Sequence, residues 1–266
     1  MKEKVKKLIR PYYYLMRNTY YKFLLKINNI KVNKFDDSFF DNKRIIVIGP
    51  AESSLSYMSA EEIDKFDIVV RLNKSHLNLE KLKGELGTKT DILFHCCFDD
   101  PVIGCGKIDQ EELIAQQNKF VVYPYFDQSA LYTFYDFLLK NRKINLEILD
   151  SKYYKNIIKY YPGKIPTTGF QVLNYLLRQK FRELHITGFT FLKTDYIRGY
   201  RDSHRTVSKI KELVKNGANH HPDAEFELFH TLFKSMNMKN IYLDDTLENL
   251  IKIQDNTSYK YIKEFS

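Results

Sequence analysis

The stretch Arg44-Ile-Ile-Val-Ile-Gly-Pro-Ala-Glu-Ser-Ser54 decides the fold of this chain. It begins with a short apolar run, Arg44–Ile48, and turns at Gly49, which is typical of a strand buried on both faces. Similar runs predict strands at 67–71, 91–95, 120–123, 183–187 and 240–243. Helices are predicted between them, at 129–141, at 148–161 and after the capping box Ser59-Ala-Glu-Glu62.

Strands that alternate with helices indicate an α/β domain with a parallel sheet and helices on both faces. We therefore predict a single Rossmann-like nucleotide-binding domain over 43–255, followed by a short tail at 256–266. In sheets of this kind the ligand sits beyond the carboxyl ends of the strands. The candidate functional residues are expected where the strands end.

The charge of the chain is concentrated near its N-terminus. The 266 residues include 42 Lys or Arg and 33 Asp or Glu, which gives a net charge of +9. Residues 1–34 hold ten of the basic residues and one of the acidic ones, so the rest of the chain, with 32 of each, is neutral. A nucleic-acid enzyme would usually spread basic residues over its binding face. No nucleic-acid partner is predicted.

Residues 1–28 repeat apolar side chains every three or four positions, which predicts a helix that Pro11 could kink or divide. One face is basic and the other is aromatic and aliphatic, a combination suited to an anionic membrane surface. The alternative is a solvated helix packed on the catalytic domain. We treat 1–34 as a basic amphipathic unit, joined to the domain through a polar linker, Asn33 to Asn42.

The three cysteines, Cys96, Cys97 and Cys105, predict no disulfide framework, because their number is odd and two are adjacent. A reducing compartment is the matching expectation. The sequence has no apolar run of the roughly 18 residues that a spanning helix needs, and it lacks the features of a signal peptide. We therefore predict a cytoplasmic protein, held peripherally on the inner face of the membrane.

Two strand ends offer candidate donor-binding residues. The turn after the first strand contains Gly49, Ser53 and Ser54, and a glycine-containing turn at this position suits a nucleotide phosphate. The alternative is an ordinary strand-to-helix turn. Asn73 follows the second strand, where its amide can donate to and accept from a base or ribose. The alternative for Asn73 is a turn-forming role.

A third segment, Pro166-Thr-Thr-Gly169, precedes an apolar helix. Thr168 can cap this helix, with Gln171 three residues later. The backbone amides and two hydroxyls of Thr167, Thr168 and Gly169 predict a site for a phosphate or a carboxylate at a helix N-terminus. Capping alone is the alternative, and it accounts for only one of the two threonines.

The segment Asn219-His-His-Pro-Asp-Ala-Glu225 precedes another helix. Histidine is the side chain best suited to take a proton near neutral pH, so His220 is the candidate base. Glu225 lies one turn into the helix, where it can cap the turn or orient a ring nitrogen. His221 competes for the role of base and is otherwise a donor-binding candidate. His204, sixteen residues before His220, could meet a leaving phosphate when protonated.

These segments, in this order, resemble the sialyltransferases. The long sialylmotif of glycosyltransferase family 29, the eukaryotic-type enzymes, is similar to Gly49, Arg71-Leu-Asn73 and Leu86-Gly-Thr-Lys-Thr90. The short sialylmotif is similar to Pro166-Thr-Thr-Gly169 with Leu184-His-Ile-Thr-Gly-Phe189. His220 and Glu225 match the His-x4-Glu motif, and His204 falls near the place of the third motif. The bacterial family 42 is a near neighbour.

The resemblance implies a variant of the GT-A fold and an inverting, metal-independent glycosyltransferase without a cofactor. It implies transfer of sialic acid or Kdo from a CMP-activated donor to a cell-surface glycan or glycolipid acceptor. Asn73 would contact the nucleotide, 167–169 the sugar carboxylate and phosphate, His204 the leaving phosphate, and His220 the acceptor hydroxyl. The sequence shows no Asp-x-Asp metal motif.

Two alternatives to this function stay open. The first keeps the fold and the histidine base but uses a different donor, either another nucleotide sugar or a phosphoribosyl donor. The second is a non-enzymatic, membrane-associated glycan-binding protein.

Overall fold

The computed structural model describes residues 2–100, 105–160, 164–215, 220–236 and 240–256. In this part of the chain, seven strands form one sheet: β1 (Arg44–Ile48), β2 (Ile68–Leu72), β3 (Ile92–Phe94), β4 (Phe120–Tyr123), β5 (Leu146–Ile148), β6 (Glu183–Thr187) and β7 (Ile241–Leu243). Their order is β5-β4-β3-β2-β1-β6-β7. All neighbouring strands are parallel, which confirms the predicted class of sheet.

The same residues form ten α-helices. They are α1 (Lys2–Ile27), α2 (Ala60–Asp64), α3 (Leu79–Leu86), α4 (Gln110–Ala115), α5 (Leu131–Lys140), α6 (Ser151–Ile158), α7 (Thr168–Leu176), α8 (Val207–Lys215), α9 (Pro222–Lys234) and α10 (Asp245–Asp255).

The central strands β1, β2 and β3 are buried on both faces, which explains why they read as apolar runs, whereas β7 at the edge is partly exposed. In β1, Ile45 and Val47 belong to one hydrophobic cluster, whereas Ile46 and Ile48 belong to another. Helices α6, α7, α9 and α10 contribute to the first cluster. Helices α2 and α3, and farther along the sheet α5, cover the opposite face. The predicted Rossmann-like layering of helix, sheet and helix is confirmed.

Most predicted strands have the observed bounds. β1, β4 and β6 agree to the residue, and β2, β3 and β7 lie within one residue of the predicted ends. The capping box is also present, because Glu62 N donates to Ser59 Oγ and Ser59 N donates to a carboxylate oxygen of Glu62. The sequence did not predict β5, and it extended the next helix over the last residue of that strand. In the structure α6 begins only at Ser151, after the N-cap residue Asp150.

The segment predicted as a polar linker is packed into the domain. Phe35 and Phe40 are buried in the core, and Asp37 accepts hydrogen bonds from the hydroxyls of Tyr153 (2.5 Å) and Tyr175 (2.7 Å). The apolar partners of these phenylalanines come from distant parts of the chain, so the local polarity of this segment is misleading.

Helix α1 is continuous through Pro11 and rests on α5. The side chain of Asn18 donates to the carbonyl of Gln128 at 2.8 Å, and the guanidinium carbon of Arg17 lies 3.6 Å from the ring centroid of Tyr132. Leu25 is buried in the hydrophobic cluster that includes α5. The second half of α1 is therefore attached to the domain. None of the helices in the described ranges is long and apolar enough to cross a membrane.

The cysteines differ from the sequence expectation. Cys96 and Cys105 are joined by a disulfide, with their Cα atoms 6.0 Å apart, whereas Cys97 is a buried free thiol. The prediction that no disulfide forms is wrong for this pair. An odd count of cysteines does not reveal which two lie close in space, and here the chain turns back on itself after β3.

Candidate functional site

The sheet has a topological switch point between β1 and β6. The chain leaves β1 for β2 on one side, whereas β6 joins β1 on the other side, so the connections diverge and leave a crevice at the carboxyl edge. At this crevice the backbones of Gly49 and Gly188 lie in close contact. A Cβ on Gly49 would lie 2.2 Å from the carbonyl oxygen of Gly188, and a Cβ on Gly188 would lie 2.4 Å from that of Gly49. No side chain fits at either position.

A cavity of about 190 Å³ lies at this edge of the sheet. Its lining combines polar side chains with aromatic and aliphatic ones from many separate parts of the chain. The lining residues are Pro50, Ala51, Leu72, Asn73, Cys96, Cys105, Tyr125, Thr167, Thr168, Gly169, Phe170, Gly188, Phe189, Thr190, Phe191, Leu192, Tyr196, Tyr200, Arg201, Ile210, Leu213, Val214, His220 and Glu225. The structure thus brings together Asn73, the threonine segment, His220 and Glu225, which the sequence had marked separately.

The entrance to α7 forms one wall of the cavity. Thr167, rather than Thr168, is the N-cap residue, since its Oγ1 accepts a hydrogen bond from Phe170 N at 3.2 Å. Thr168 Oγ1 instead lies 3.0 Å from the hydroxyl of Tyr125. Both threonines and Gly169 line the cavity. A helix leaves its first amides without intrahelical acceptors, so this wall can bind an anion.

Glu225 connects α9 to the same entrance. Its carboxylate accepts hydrogen bonds from Thr167 N (2.7 Å) and from Thr167 Oγ1 (2.5 Å). The side chain is 1% exposed, and burial raises the pKa of Glu225 to about 8. The hydrogen bonds described for this carboxyl go to Thr167, so its geometry is that of a link between two helices.

The two adjacent histidines have different surroundings. His220 lines the cavity, and its Nδ1 lies 2.6 Å from the carbonyl oxygen of Ile165. A carbonyl only accepts, so Nδ1 carries the proton and Nε2 keeps a lone pair. Burial lowers the pKa of His220, and the positive charge of Arg201 acts in the same direction. His221 Nδ1 accepts from Ala224 N at 3.2 Å as the N-cap of α9, and His221 is not a lining residue.

Asn73 lies at the carboxyl end of β2 with a backbone φ of 48°, a left-handed conformation that asparagine tolerates better than most residues. Its Oδ1 accepts from Cys96 N at 3.2 Å, and the residue lines the cavity. The neighbouring Arg71 is buried and bonds the carbonyls of Leu86 and Lys89. Arg71 therefore fixes the 86–90 stretch to β2.

The polar residues of the first turn have structural partners. Ser53 Oγ donates to Asp244 Oδ2 at 3.0 Å, and Ser54 Oγ donates to the carbonyl of Ala51 at 2.9 Å. Neither serine lines the cavity, which is contacted at this turn by Pro50 and Ala51. The turn therefore borders the cavity through Pro50 and Ala51, while its two serine hydroxyls bond within the protein.

The sequence did not single out Arg201. His204, the predicted phosphate partner, is not a lining residue, and its Nδ1 lies 2.9 Å from Ser203 Oγ. Arg201, three residues earlier, lines the cavity instead. Both residues belong to one short segment, 201–204, and of the two only Arg201 borders the cavity.

No group of three or more His, Cys, Asp or Glu that could hold a metal ion occurs among the residues that the structure describes. Asp244 instead accepts hydrogen bonds from Ser53, Thr187 Oγ1 and Gly188 N, and its other oxygen accepts from Leu247 N. This carboxylate joins β1, β6 and α10.

These features define a doubly wound α/β protein with its cavity at the switch point of the sheet. Neither a protein-family model nor a curated protein sequence matches the chain.

Solved structures of sialyltransferases have a similar fold. A mammalian sialyltransferase in complex with Gal-beta-1-3GalNAc-ortho-nitrophenol is 18% identical, with a TM-score of 0.48 over 78% of this chain and 71% of that one. The sialyltransferase CstII from Campylobacter jejuni, in complex with cytidine-5'-monophosphate, is 16% identical, with a TM-score of 0.45 over 78% and 87%. An alpha-2,3-sialyltransferase from Campylobacter jejuni is 18% identical, with a TM-score of 0.45 over 79% of both chains. The likeness is one of fold.

Proposed function

We propose that this protein is an inverting glycosyltransferase that transfers an acidic sugar, sialic acid or Kdo, from a CMP-activated donor to a hydroxyl of a glycan acceptor. The donor class follows from the sialylmotif-like segments of the sequence. The observation that carries the proposal is the imidazole of His220, held in one tautomer beside the entrance to α7.

His220 has the properties of a general base. The bond from Nδ1 to the carbonyl of Ile165 fixes the ring and leaves the lone pair of Nε2 as proton acceptor. The lowered pKa keeps the ring neutral near pH 7, so the base is present in its active form. The same carbonyl stabilises the imidazolium once the proton has been taken.

The leaving phosphate would be met at the entrance to α7. The first-turn amides of Thr168 and Gly169, the hydroxyl of Thr168 and the positive end of the helix dipole favour an anion there. Arg201 supplies a full positive charge to the same cavity. We assign this charge to Arg201 in preference to His204.

The reaction then needs one displacement. Nε2 of His220 takes the proton of the acceptor hydroxyl, and the hydroxyl oxygen forms a bond to the anomeric carbon of the donor sugar. The bond from this carbon to the phosphate oxygen breaks, and CMP leaves with its electron pair. Attack from the face opposite the phosphate inverts the anomeric configuration. No step in this scheme requires a metal ion.

The direct test is release of CMP. The protein is incubated with CMP-sialic acid or CMP-Kdo and a mixture of glycan acceptors, with and without EDTA, and CMP is quantified. We expect acceptor-dependent release that EDTA does not change. Release from another nucleotide sugar or a phosphoribosyl donor alone would favour the alternative donor. Glycan binding without any release would favour the non-enzymatic reading.

We also propose that α1 binds an anionic membrane surface. Apolar side chains recur along one side of α1 at alternating steps of four and three residues, and each is more than half exposed: Ile9, Tyr13, Met16, Tyr20, Phe23 and Ile27. Basic residues flank this stripe on both sides, including Arg10 and Lys26. Each basic residue near an anionic leaflet contributes about 1 kcal/mol, and the attachment of α1 to α5 would hold the cavity close to lipid-linked acceptors.

Point variants test this proposal without unfolding α1. Co-sedimentation with vesicles of phosphatidylglycerol and phosphatidylcholine should fall strongly for Met16→Glu, which lies in the stripe. Ile253→Glu, an equally exposed apolar position on α10, should bind as the wild type does. If wild-type protein does not co-sediment, the membrane proposal is wrong, and α1 is an oligomer contact or a packed extension of the core. Dissociation of a dimer by Met16→Glu would identify the oligomer contact.

A further inference from the structure

Helix α8 has an apolar face that the proposed reaction does not use. Ile210, Leu213 and Val214 are spaced three and four residues apart, so they share one side of the helix, and all three line the cavity. The opposite side carries exposed polar residues, among them Lys211 and Glu212. The apolar side of α8 therefore faces the cavity, where Leu213 and Val214 are half-buried.

A second apolar wall is built from backbone in an unfavourable conformation. Phe191 and Leu192 line the cavity and have φ values of 51° and 60°, in the left-handed region that bulky residues rarely adopt. The ring of Phe191 is held between α9 side chains, with centroid distances of 5.1 Å to Phe226 and 5.3 Å to Phe229. Strain of this kind persists only where the surrounding packing maintains it, and it concentrates at ligand sites.

We propose that these two walls form a subsite for an apolar aglycone, so that the acceptor class is an amphiphilic glycoside. The inference rests on the proposed function, because it places the sugar hydroxyl at His220 and the apolar group beyond it. A CMP-linked acidic sugar is anionic and polar, and the groups suited to it are Asn73, 167–169 and Arg201. The apolar walls of the same cavity remain for the other substrate.

Paired glycosides test the subsite without turnover. Binding of octyl β-galactoside and methyl β-galactoside is measured by calorimetry below the concentration at which micelles form, with CMP absent or saturating. We expect the octyl glycoside to bind about tenfold more tightly or better, because several methylenes leave water. CMP should not compete with it, since the proposal assigns the nucleotide to Asn73, 167–169 and Arg201.

Three variants locate the effect. Leu213→Ser should lower octyl affinity by about fivefold, the order expected for losing one partly buried leucine, and should leave methyl affinity unchanged. Lys211→Ser, on the outer side of α8, should change neither affinity. Met16→Ser should also leave both unchanged, which separates the cavity from the exposed stripe of α1.

The remaining outcomes are also decisive. Equal binding of the two glycosides, no binding of either, or loss of octyl binding in the presence of CMP would overturn the subsite. Release of CMP from CMP-sialic acid is followed in parallel with both glycosides. Selective octyl binding without CMP release would support the apolar subsite and count against the proposed transfer.

Discussion

The turn after β1 and the entrance to α7 look alike in the sequence but differ in the structure. Each is a short polar segment that joins a strand or loop to a helix, and each was predicted to hold part of the donor. At the first turn, Ser53 bonds Asp244 and Ser54 bonds the carbonyl of Ala51. At the entrance to α7, Thr167 and Thr168 both border the cavity.

The difference lies in the partners that the fold supplies. Asp244 is 191 residues away from Ser53 along the chain, yet it lies within hydrogen-bond distance. A buried carboxylate needs donors, and Ser53 is one of those that Asp244 has. Such a partner does not by itself exclude a side chain from a site, because Thr167 also donates to a buried carboxylate, that of Glu225, and still lines the cavity. The two segments differ in whether their side chains border the cavity, which depends on the fold.

The largest effect is expected on the rate of transfer when His220, beside the entrance to α7, is replaced. His220→Ala should lower the rate of transfer by about a hundred- to ten-thousand-fold, the usual cost of removing a general base. Donor binding and the thermal unfolding temperature should change little, because the ring makes one hydrogen bond to a carbonyl. Single-turnover kinetics with calorimetric binding of CMP would measure both.

His221→Ala is the matched control. It removes the cap of α9 and should lower the free energy of unfolding by about 1 kcal/mol, while transfer stays within tenfold of wild type. If His221→Ala, and not His220→Ala, abolished transfer, the assignment of the base would be reversed.

The next effect concerns the first turn as a structural element. Gly49→Ala should lower the free energy of unfolding by about 3 kcal/mol or more, since its Cβ would meet the carbonyl of Gly188 and backbone cannot move aside as a side chain can. Gly84→Ala is the control. A Cβ at Gly84 meets nothing within 4 Å and lies inside α3, so this variant should gain about 0.5–1 kcal/mol. Urea unfolding measures both, and equal stabilities would mean that the crevice is looser than described.

Much of this architecture could be read from the sequence. Central strands such as β1 and β2 are buried on both faces and read as largely apolar runs. β5 has three residues, with the half-buried Glu147 between two buried neighbours, so it has no run to recognise. Motif spacing singled out Asn73 and His220, and both line the cavity. That Arg201 rather than His204 lines it, and that Cys96 pairs with Cys105, depends on tertiary geometry, which local patterns do not encode.

A smaller effect is expected in the pH dependence of stability, through Glu225 at the entrance to α7. The pKa of Glu225 is raised to about 8 from an ordinary value of 4.5, so the folded protein binds a proton that the unfolded chain releases between these values. The contribution of Glu225 to stability should therefore fall as pH rises from about 5 to 8 and then level off, by at most about 1.4 kcal/mol per pH unit. Buried histidines whose pKa is lowered, such as His76 and His220, contribute the opposite slope below about pH 6.5, so the test compares variants. The advantage of wild type over Glu225→Gln in urea midpoint should shrink with rising pH, whereas the exposed Glu61→Gln should follow wild type. An advantage over Glu225→Gln that grows through this window would contradict the buried, protonated carboxyl.

The smallest effect compares one hydroxyl from each region. Ser53 Oγ and Thr168 Oγ1 each make one hydrogen bond of 3.0 Å, to Asp244 and to the hydroxyl of Tyr125. Replacing either residue by alanine should lower the free energy of unfolding by about 1 kcal/mol, the net worth of one such bond. The effect on the donor should differ, because only Thr168 borders the cavity.

We therefore expect Thr168→Ala to weaken binding of CMP by about fivefold to tenfold, which corresponds to one lost hydrogen bond to the phosphate, whereas Ser53→Ala leaves it unchanged. Calorimetric titration of CMP into both variants, compared at equal fractions of folded protein, separates affinity from stability. Equal weakening in the two variants would mean that the first turn also contacts the nucleotide, and the contrast between a structural turn and a binding entrance would fail. Weakening in Ser53→Ala alone would move the phosphate from the α7 entrance to the turn after β1.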